Sequence, residues 1–286
     1  MLQMAMMWMA IAGEPVVTSV ETLAELSLGV SEDTLVFLDI DDTVLEFPHT
    51  VGSKKWRHYL HHATDAWDTS QNWHDVLTLW MAENYPVCPV EPITCQWVMD
   101  LQAQGAIVCG LTARERNKWY DTPQDGMDLV TARQLKALGV SFDDARLQDA
   151  YPELAALPQY FQGTFFVDMD LKGDYLLHHL AGLSKRPKKI IFVDDKWSQA
   201  MSVAKALHAL GIPYESYCYT YTDAKAARFD PVLANIQLYF FHRGAQILSD
   251  EEAARIARED LTRSGEDYLK AVVEAIRKTH PSQELL

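Results

Sequence analysis

The chain has 286 residues, enough to bury a sizeable hydrophobic core in one large or two small domains. Hydrophobic residues make up 48% of it, which is typical of a globular protein and excludes a largely disordered one. The formal net charge is −15, and this acidic excess argues against a general surface for nucleic acid or for an anionic membrane.

The N-terminal segment is apolar and rich in methionine. Residues 10–12 (Ala-Ile-Ala) resemble the small-residue cleavage site of a secretory signal, but the chain has no Lys or Arg before Lys54 to form a basic region. A signal-peptide remnant and a disordered leader therefore both stay open for residues 1–13. The signal-peptide remnant is slightly favoured, and with it a periplasmic or secreted protein over a cytoplasmic one. The segment is too short to span a bilayer, and no other segment is a candidate for a membrane span.

After a lead-in helix and turn predicted for residues 14–33, the apolar run Leu35–Ile40 predicts a buried strand. Its end carries the sequence Asp-Ile-Asp-Asp-Thr over residues 39–43. Open α/β sheets bind ligands at the carboxyl ends of their strands, so Asp39 and Asp41 lie where chemistry is expected. One such carboxylate can act as a nucleophile while its neighbour transfers a proton. An Asp-rich turn that merely ends a strand is the competing interpretation.

Residues 45–85 are predicted to be an insertion that begins with a loop and continues with two helices, over 54–66 and 72–84. The insertion is rich in aromatic residues. Most of these are expected to pack the helices against the rest of the protein. The alternative is a small helical cap over an active site, with Trp56 as the first candidate for contact with a substrate.

A helix is predicted over Ile93–Gln104, followed by a second apolar run, Ala106–Thr112, that predicts a strand ending in a hydroxyl group. An ordinary helix N-cap is the alternative interpretation of Thr112. Arg114 and Arg116 follow this strand. They are candidates for local positive charge near the end of this strand in an otherwise acidic chain.

Cysteine and histidine residues give weaker signals. Cys88 and Cys95 flank a proline-rich turn, and both a disulfide bridge and two free thiols stay open. Cys109 lies within the second strand and is predicted to be an inert buried thiol. Two pairs of adjacent histidines, at 61–62 and 178–179, do not predict a zinc site, because adjacent residues of a helix do not share a face.

The second half of the chain continues the alternation of helices and strands. A helix over 129–138, closed by Gly139, and a strand over 164–167 precede Lys172 and its helix. A third apolar run ends in Asp194 and Asp195. Taken separately, Lys172 could be a solvated lysine and the acidic pair a turn. The alternation itself predicts a parallel sheet with helices on both faces.

A capping-box sequence at Ser249–Glu252 predicts the start of a C-terminal helix. Residues 250–278 are amphipathic and heavily charged, with a break near Ser264. A helical pair packed on the main domain is the preferred interpretation. An appendage that binds a protein partner, whose identity the sequence leaves unknown, is the alternative.

Taken together, these segments occur in the order strand–DxDxT, strand–T, K, strand–DD. This order resembles the haloacid dehalogenase (HAD) superfamily, whose four motifs follow the same sequence, and the resemblance covers roughly residues 34 to 215. Shorter stretches resemble a poorly characterised bacterial HAD branch, a domain of unknown function with a small helical cap. They lie at residues 52–56, 111–114, 131–142 and 244–253.

The resemblance implies an α/β fold, with a HAD-like (Rossmann-like) parallel sheet, helices on both faces and a small α-helical cap. The HAD-like core would comprise residues 14–44 and 86–248. The cap would be the insertion 45–85, and residues 249–286 would form a C-terminal helical extension.

The resemblance also implies a phosphomonoester hydrolase that acts through an aspartyl-phosphate intermediate. Asp39 would be the nucleophile, and Asp41 would protonate the leaving group and then activate water. Thr112 and Lys172 would bind the phosphoryl oxygens. The substrate would be a phosphorylated small molecule or a phosphoprotein, and the aromatic cap weakly favours a flat or apolar leaving group.

The implied cofactor is Mg²⁺. By resemblance, its ligands are the Asp39 carboxylate, the Asp41 backbone carbonyl and a carboxylate of the Asp194–Asp195 pair. Asp195 is favoured for the direct contact, and Asp194 would be a more distant contact or the partner of Lys172. On the substrate side, Thr43 is expected to brace the loop. Arg114 and Trp56 are expected to contact the substrate.

Three alternatives to phosphatase activity stay open. Haloacid dehalogenation uses the same nucleophile but needs neither Asp41 nor a metal, so it is less favoured. A phosphotransferase or phosphomutase differs only in what accepts the phosphoryl group. A catalytically idle HAD-fold binding protein is the remaining possibility, although all four motifs are intact.

Overall fold

The computed structural model describes residues 13–26, 28–65, 72–116, 126–168 and 171–279. The predicted leader 1–13 lies outside these residues except for Gly13. The chain folds into two compact units. An α/β unit comprises Met1–Glu46 and Cys88–Thr222, and a helical unit comprises Phe47–Val87 and Asp223–Leu286.

Within the described residues, the α/β unit contains a seven-stranded sheet and a small two-stranded ribbon. The strands in chain order are β1 (Thr18–Val20), β2 (Thr34–Leu38), β3 (Leu45–Glu46), β4 (Cys88–Pro89), β5 (Ile107–Thr112), β6 (Tyr160–Phe161), β7 (Thr164–Phe166), β8 (Lys189–Asp194) and β9 (Tyr214–Tyr219). The order across the sheet is β1-β9-β8-β2-β5-β7-β6, and each neighbouring pair is parallel except β6 with β7. The predicted parallel α/β sheet is confirmed.

The helices of the α/β unit follow the strands along the chain. They are α3 (Thr94–Ala103), α4 (Met127–Leu138), α5 (Asp144–Ala150), α6 (Pro152–Ala155), α7 (Lys172–Ala181) and α8 (Trp197–Ala209). Leu35 and Phe37 of β2 belong to the hydrophobic core that also contains buried residues of α7 and α8. Val36 and Leu38, which point to the opposite face of the sheet, are also fully buried. Both faces of the central strand are therefore covered, as is typical of parallel sheets.

The lead-in helix and turn predicted for residues 14–33 are wrong in part. Thr18–Val20 form the edge strand β1, paired with Tyr217–Tyr219 of β9, and a short 3-10 helix follows over Leu23–Glu25. The physical reason is the open edge of β9. Its unpaired backbone groups are satisfied by an extended segment rich in β-branched residues.

The helical unit comprises α1 (Lys54–Asp65), α2 (Trp73–Asn84), α9 (Asp223–Ala227), α10 (Pro231–Gly244), α11 (Asp250–Glu259) and α12 (Gly265–Thr279). Its hydrophobic core combines residues of the predicted cap with C-terminal residues, among them Trp56, Leu77, Leu238 and Leu269. The predicted helices of the insertion and the C-terminal helical pair are present. The predicted capping box joins Ser249 and Glu252 at the start of α11.

The predicted domain boundaries differ from this division in one long stretch. Residues 223–248 were expected in the α/β core, but they lie in the helical unit. The reason is α10, which buries Ile236, Leu238 and Phe241 in the core of that unit. The chain leaves and re-enters the α/β unit at the ribbon, where Glu46 of β3 pairs with Cys88 of β4.

None of the four cysteines forms a disulfide bridge. Cys88 Sγ donates to the carbonyl oxygen of Glu46 at 3.6 Å, and Cys95 Sγ donates to that of Leu138 at 3.1 Å. No bridge therefore joins Cys88 to Cys95. Cys109 is buried in β5, and burial raises the pKa of its thiol well above the usual value.

Candidate active site

Three neighbouring parallel strands end at the same edge of the sheet. Strand β2 lies between β8 and β5. Asp39 follows β2, Thr112 ends β5, and Asp194 ends β8. The backbone N–H of Asp39 donates to the carbonyl oxygen of Val193 at 2.9 Å, which holds the end of β2 beside the end of β8. This carboxyl edge is where open α/β sheets bind their ligands.

A tight turn follows β2, and it places Asp39 and Asp41 in different surroundings. The backbone N–H of Asp42 donates to the carbonyl oxygen of Leu45 at 2.8 Å, and Asp42 has a φ of 61°. Asp tolerates this left-handed conformation better than most residues do. Asp39 is buried, whereas the side chain of Asp41 is 27% exposed. Thr43 was expected to brace this loop, but its buried hydroxyl has no hydrogen-bond partner among the described residues.

Three carboxylates form a buried cluster at this edge. One carboxylate oxygen from each of Asp39, Asp194 and Asp195 lies within 4.8 Å of the other two. All three side chains are buried. The resemblance to the HAD superfamily predicted that Asp39 and the Asp194–Asp195 pair share one site, and the parallel pairing of β2 with β8 brings these residues together.

Lys172 enters the same cluster from the start of α7. Its Nζ donates to Asp39 Oδ1 and to Asp194 Oδ2, both at 2.5 Å, and the side chain is 1% exposed. Asp194 is therefore a partner of Lys172. Its other oxygen, Oδ1, accepts the backbone N–H of Lys196 at 2.8 Å.

Helix α8 fixes the position of Lys172. The backbone N–H of Lys172 donates to Gln199 Oε1 at 2.9 Å, and that of Gly173 donates to Ser202 Oγ at 3.1 Å. A Cβ atom on Gly173 would lie 2.1 Å from the backbone oxygen of Ser202, so only glycine permits this approach. Sequence reasoning missed Gln199 and Ser202. The Lys-Gly pair at the start of a helix was the one local signal of a close helix contact.

The charges of this cluster do not balance. Asp39, Asp194 and Asp195 carry three negative charges when ionised, and Lys172 carries one positive charge, which leaves −2. Burial raises the pKa of Asp39 to about 8. Lys172 opposes this shift, and the neighbouring carboxylates add to it. Burial lowers the pKa of Lys172, but Asp194 and Asp39 outweigh this effect and raise it.

The donor set suits a hard divalent cation. Carboxylate oxygens are the protein ligands that Mg²⁺ prefers, and Mg²⁺ needs only one to three of them because it retains waters. A charge of +2 also equals the excess negative charge of the cluster. Asp194 is the member of the cluster least suited to hold such a cation, since both of its oxygens accept hydrogen bonds, from Lys172 and from the backbone of Lys196.

Arg114 pairs with the second aspartate of the turn. Its Nε donates to Asp41 Oδ2 and its Nη2 donates to Asp41 Oδ1, both at 2.8 Å. Its Nη1 donates to Thr131 Oγ1 at 2.7 Å and to Gln134 Oε1 at 2.8 Å. Arg114 was predicted to contact the substrate. The structure instead commits most of its donors to protein groups, because α4 and the Asp41 turn both lie against it.

Thr112 lies within the site, but Trp56 does not face solvent. Thr112 is fully buried, and its Oγ1 accepts the backbone N–H of Arg114 at 3.2 Å. Trp56 was predicted to contact the substrate. It is 1% exposed and lies in the core of the helical unit, so its role there is packing.

The fold and the site define an α/β protein with a buried carboxylate–lysine cluster at the carboxyl edge of a parallel sheet. Residues 15–254 match the protein family described as "Protein of unknown function (DUF2608)", and the chain belongs to this family.

Similar proteins occur in Chlamydia, and the three compared carry the provisional name of outer membrane protein. The protein of Chlamydia muridarum is 26% identical over 261 residues, which cover 89% of this chain and 94% of the relative. The protein of Chlamydia pneumoniae is 25% identical, with 86% and 90% covered. The protein of Chlamydia trachomatis serovar D is 24% identical, with 86% and 91% covered.

No solved structure matches this chain significantly. In the part of the chain that the structure describes, no helix combines the length and apolar character needed to cross a bilayer.

Proposed function

We propose that this protein is a Mg²⁺-dependent phosphomonoester hydrolase of the HAD type, acting through an aspartyl-phosphate. The observation that carries the proposal is the buried cluster of Asp39, Asp194, Asp195 and Lys172. Asp39 of this cluster is suited to act as a nucleophile, and the excess negative charge of the three carboxylates is suited to bind a divalent cation. The ammonium group of Lys172 is suited to bind a phosphoryl group. The order of motifs along the chain, which resembles that of the HAD superfamily, supports it.

In the first step, an oxygen of Asp39 attacks phosphorus, and the ester bond to the leaving oxygen breaks. Asp41 gives its proton to that oxygen, so that an alcohol departs. In the second step, water attacks the phosphoryl group while Asp41 takes a proton from it. The bond between phosphorus and Asp39 then breaks, which releases inorganic phosphate and restores the Asp39 carboxylate.

The remaining residues stabilise and orient the phosphoryl group. Lys172 lies 2.5 Å from the attacking carboxylate and can donate to a phosphoryl oxygen beside it. Thr112 accepts a backbone hydrogen bond, which leaves its hydroxyl hydrogen as a donor. Asp39, Asp195 and the backbone carbonyl of Asp41 would hold Mg²⁺. When bound, the metal supplies positive charge against the phosphate and the attacking carboxylate.

Location outside the cytoplasm is a second part of this proposal. It rests on the names of the Chlamydia relatives and on the apolar sequence of residues 2–11. Mass spectrometry of the protein from fractionated cells tests it. Recovery of an intact N-terminus in the cytoplasmic fraction would contradict it.

The activity is tested with purified protein and p-nitrophenyl phosphate. We expect hydrolysis in the presence of Mg²⁺ and loss of hydrolysis in a chelator. Asp39→Asn is expected to lower kcat by about 10³-fold or more, since it removes the nucleophile. Asp33→Asn is the matched control. Asp33 precedes the same strand at its opposite end and pairs with the exposed Lys188, so turnover should be unchanged.

The alternatives give different results in the same assay. A phosphotransferase would release p-nitrophenol faster when an alcohol acceptor is added. An idle binding protein would bind a phosphate analogue without turnover. Full activity in chelator would refute the metal assignment, and near wild-type activity of Asp39→Asn would refute the aspartyl-phosphate.

A further inference from the structure

We propose that Arg114 is a positioning residue, which fixes the carboxylate of Asp41 for proton transfer. The inference rests on the proposed hydrolase function and assigns Arg114 a role different from substrate binding.

The contact between the two side chains is bidentate. Arg114 Nε and Nη2 each donate at 2.8 Å to a different oxygen of Asp41. Two parallel bonds between a planar guanidinium and a planar carboxylate fix the carboxylate in one plane, which a single bond does not do. The orientation of Asp41 is therefore set by Arg114 as well as by the turn that carries it.

Arg114 is itself held rigidly by α4 and β5. Its Nη1 donates to Thr131 and Gln134, one helical turn apart on α4. The hydroxyl of Thr131 donates in turn to the carbonyl oxygen of Met127 at 2.6 Å, so it is oriented to accept from Arg114. The backbone N–H of Arg114 is bonded to Thr112. Both the backbone and the guanidinium group of Arg114 are thus hydrogen-bonded to the protein. Arg114 can therefore orient Asp41 more tightly than a solvent-exposed arginine could.

These bonds leave little capacity for a phosphoryl group. Arginine has five N–H donors. Four of those of Arg114 are directed at Asp41, Thr131 and Gln134. Lys172 is the cation that lies against the nucleophile instead.

Positioning affects the water step most directly. In that step a proton passes from water to an Asp41 oxygen, the water oxygen bonds to phosphorus, and the bond to Asp39 breaks. A carboxylate paired with Arg114 is an acceptor whose oxygens are already oriented. If the pair is removed, the carboxyl group of Asp41 remains but samples other orientations.

The test is a double-mutant cycle with Arg114→Gln and Asp41→Asn on p-nitrophenyl phosphate. We expect Arg114→Gln to lower kcat by about 10- to 100-fold, a part of the 10²–10⁴-fold that a positioned acid or base supplies, with little change in KM. In the Asp41→Asn background the same change should have almost no further effect, because its target is already absent. The hydrolysis rate of the trapped phosphoenzyme should show the same non-additivity.

Two further variants test whether the loss of kcat in Arg114→Gln comes from the lost charge or from a folding defect rather than from the lost bidentate geometry. Arg114→Lys keeps the positive charge but loses the bidentate contact. It should therefore regain less than half of the kcat that Arg114→Gln loses relative to the wild type. Arg146→Gln is the matched control. Arg146 donates to the carbonyl oxygen of Ala106, before the opposite end of β5, and its loss should leave kcat unchanged.

The outcomes distinguish this inference from the function on which it rests. Absence of turnover by the wild-type protein with any divalent cation would overturn the hydrolase proposal, and the inference with it. In an active enzyme, additive effects of the two changes would overturn the positioning role alone. A raised KM with unchanged kcat would identify Arg114 as a phosphate-binding residue and would also overturn it.

Discussion

Asp39 lies in a buried cluster in which negative charge exceeds positive charge. Lys172 is its direct partner, yet burial and the carboxylates of Asp194 and Asp195 still raise the pKa of Asp39 to about 8. Such an arrangement is costly for a folded protein, because each buried charge loses its hydration. It is expected at a site whose residues are arranged for chemistry rather than for stability.

The pH dependence of stability follows from this pKa. The folded value of about 8 lies above the ordinary value of 3.8, so the folded protein binds this proton more tightly than the unfolded chain does. The stability that this proton contributes is therefore lost as the pH rises between these two values. In chelator, the Tm should fall between about pH 5.5 and 8, and Mg²⁺ should raise it most at the upper end.

Thermal melts of wild-type protein and of Asp39→Asn in chelator check this prediction. The variant lacks the titrating group and should show a flatter profile with a higher Tm at about pH 8. Parallel profiles for the two proteins would show that Asp39 is not the source of the pH dependence.

At the scale of elements, the contact between α7 and α8 places Lys172. The first turn of α7 is bonded to Gln199 and Ser202 through two backbone N–H groups. Gly173 permits this approach, since a Cβ atom there would overlap the backbone of Ser202. The position of the buried ammonium thus depends on the spacing between two helices.

Gly173→Ala is expected to destabilise the protein by about 1–3 kcal/mol, because the added methyl group pushes α7 away from α8. Turnover per folded molecule should also fall, since Lys172 moves with the helix. Gly182→Ala is the matched control at the other end of α7. Beyond its two chain neighbours, no described residue has an atom within 4 Å of its Cβ position, and its φ is −94°.

The control should be neutral or stabilise the protein by up to about 1 kcal/mol, through a less flexible unfolded chain. Urea unfolding and p-nitrophenyl phosphate turnover are measured on both variants. Equal stability of the two would contradict the proposed close approach of the helices.

At the scale of the whole molecule, the chain forms two units from interleaved segments. The helical unit takes Phe47–Val87 from the middle of the sequence and Asp223–Leu286 from its end. Trp56 from the first segment and Leu269 from the second lie in the same hydrophobic core. The stability of this unit therefore depends on residues that are more than two hundred positions apart in the sequence.

Trp56→Ala is expected to destabilise the protein by about 3–5 kcal/mol, since it leaves a large cavity in that core. Trp197→Ala is the control, because Trp197 is 51% exposed and its loss should change stability by less than about 1 kcal/mol. Urea unfolding of both variants checks the prediction. A Trp56 variant with wild-type stability and a raised KM would restore the expected contact with the substrate.

The sequence by itself determined the strands that carry the candidate site. The apolar runs before Asp39, Thr112 and Asp194 predict buried strands from local hydrophobicity, and β2, β5 and β8 lie where these runs do. The strand-end rule for open α/β sheets placed Asp39 and Asp41 where chemistry is expected, whereas the grouping of Thr112 and Asp194 with them came from the resemblance to the HAD superfamily.

Only the tertiary structure decided which groups pair. Asp41 and Arg114 are 73 residues apart, and no local pattern links them. The same holds for the contact of Lys172 with Gln199, for the edge strand β1 and for the place of α10 in the helical unit. Periodicity and backbone preference act over a few residues. Pairing of distant side chains and strands depends on how whole elements pack, so it is fixed only when the chain has folded.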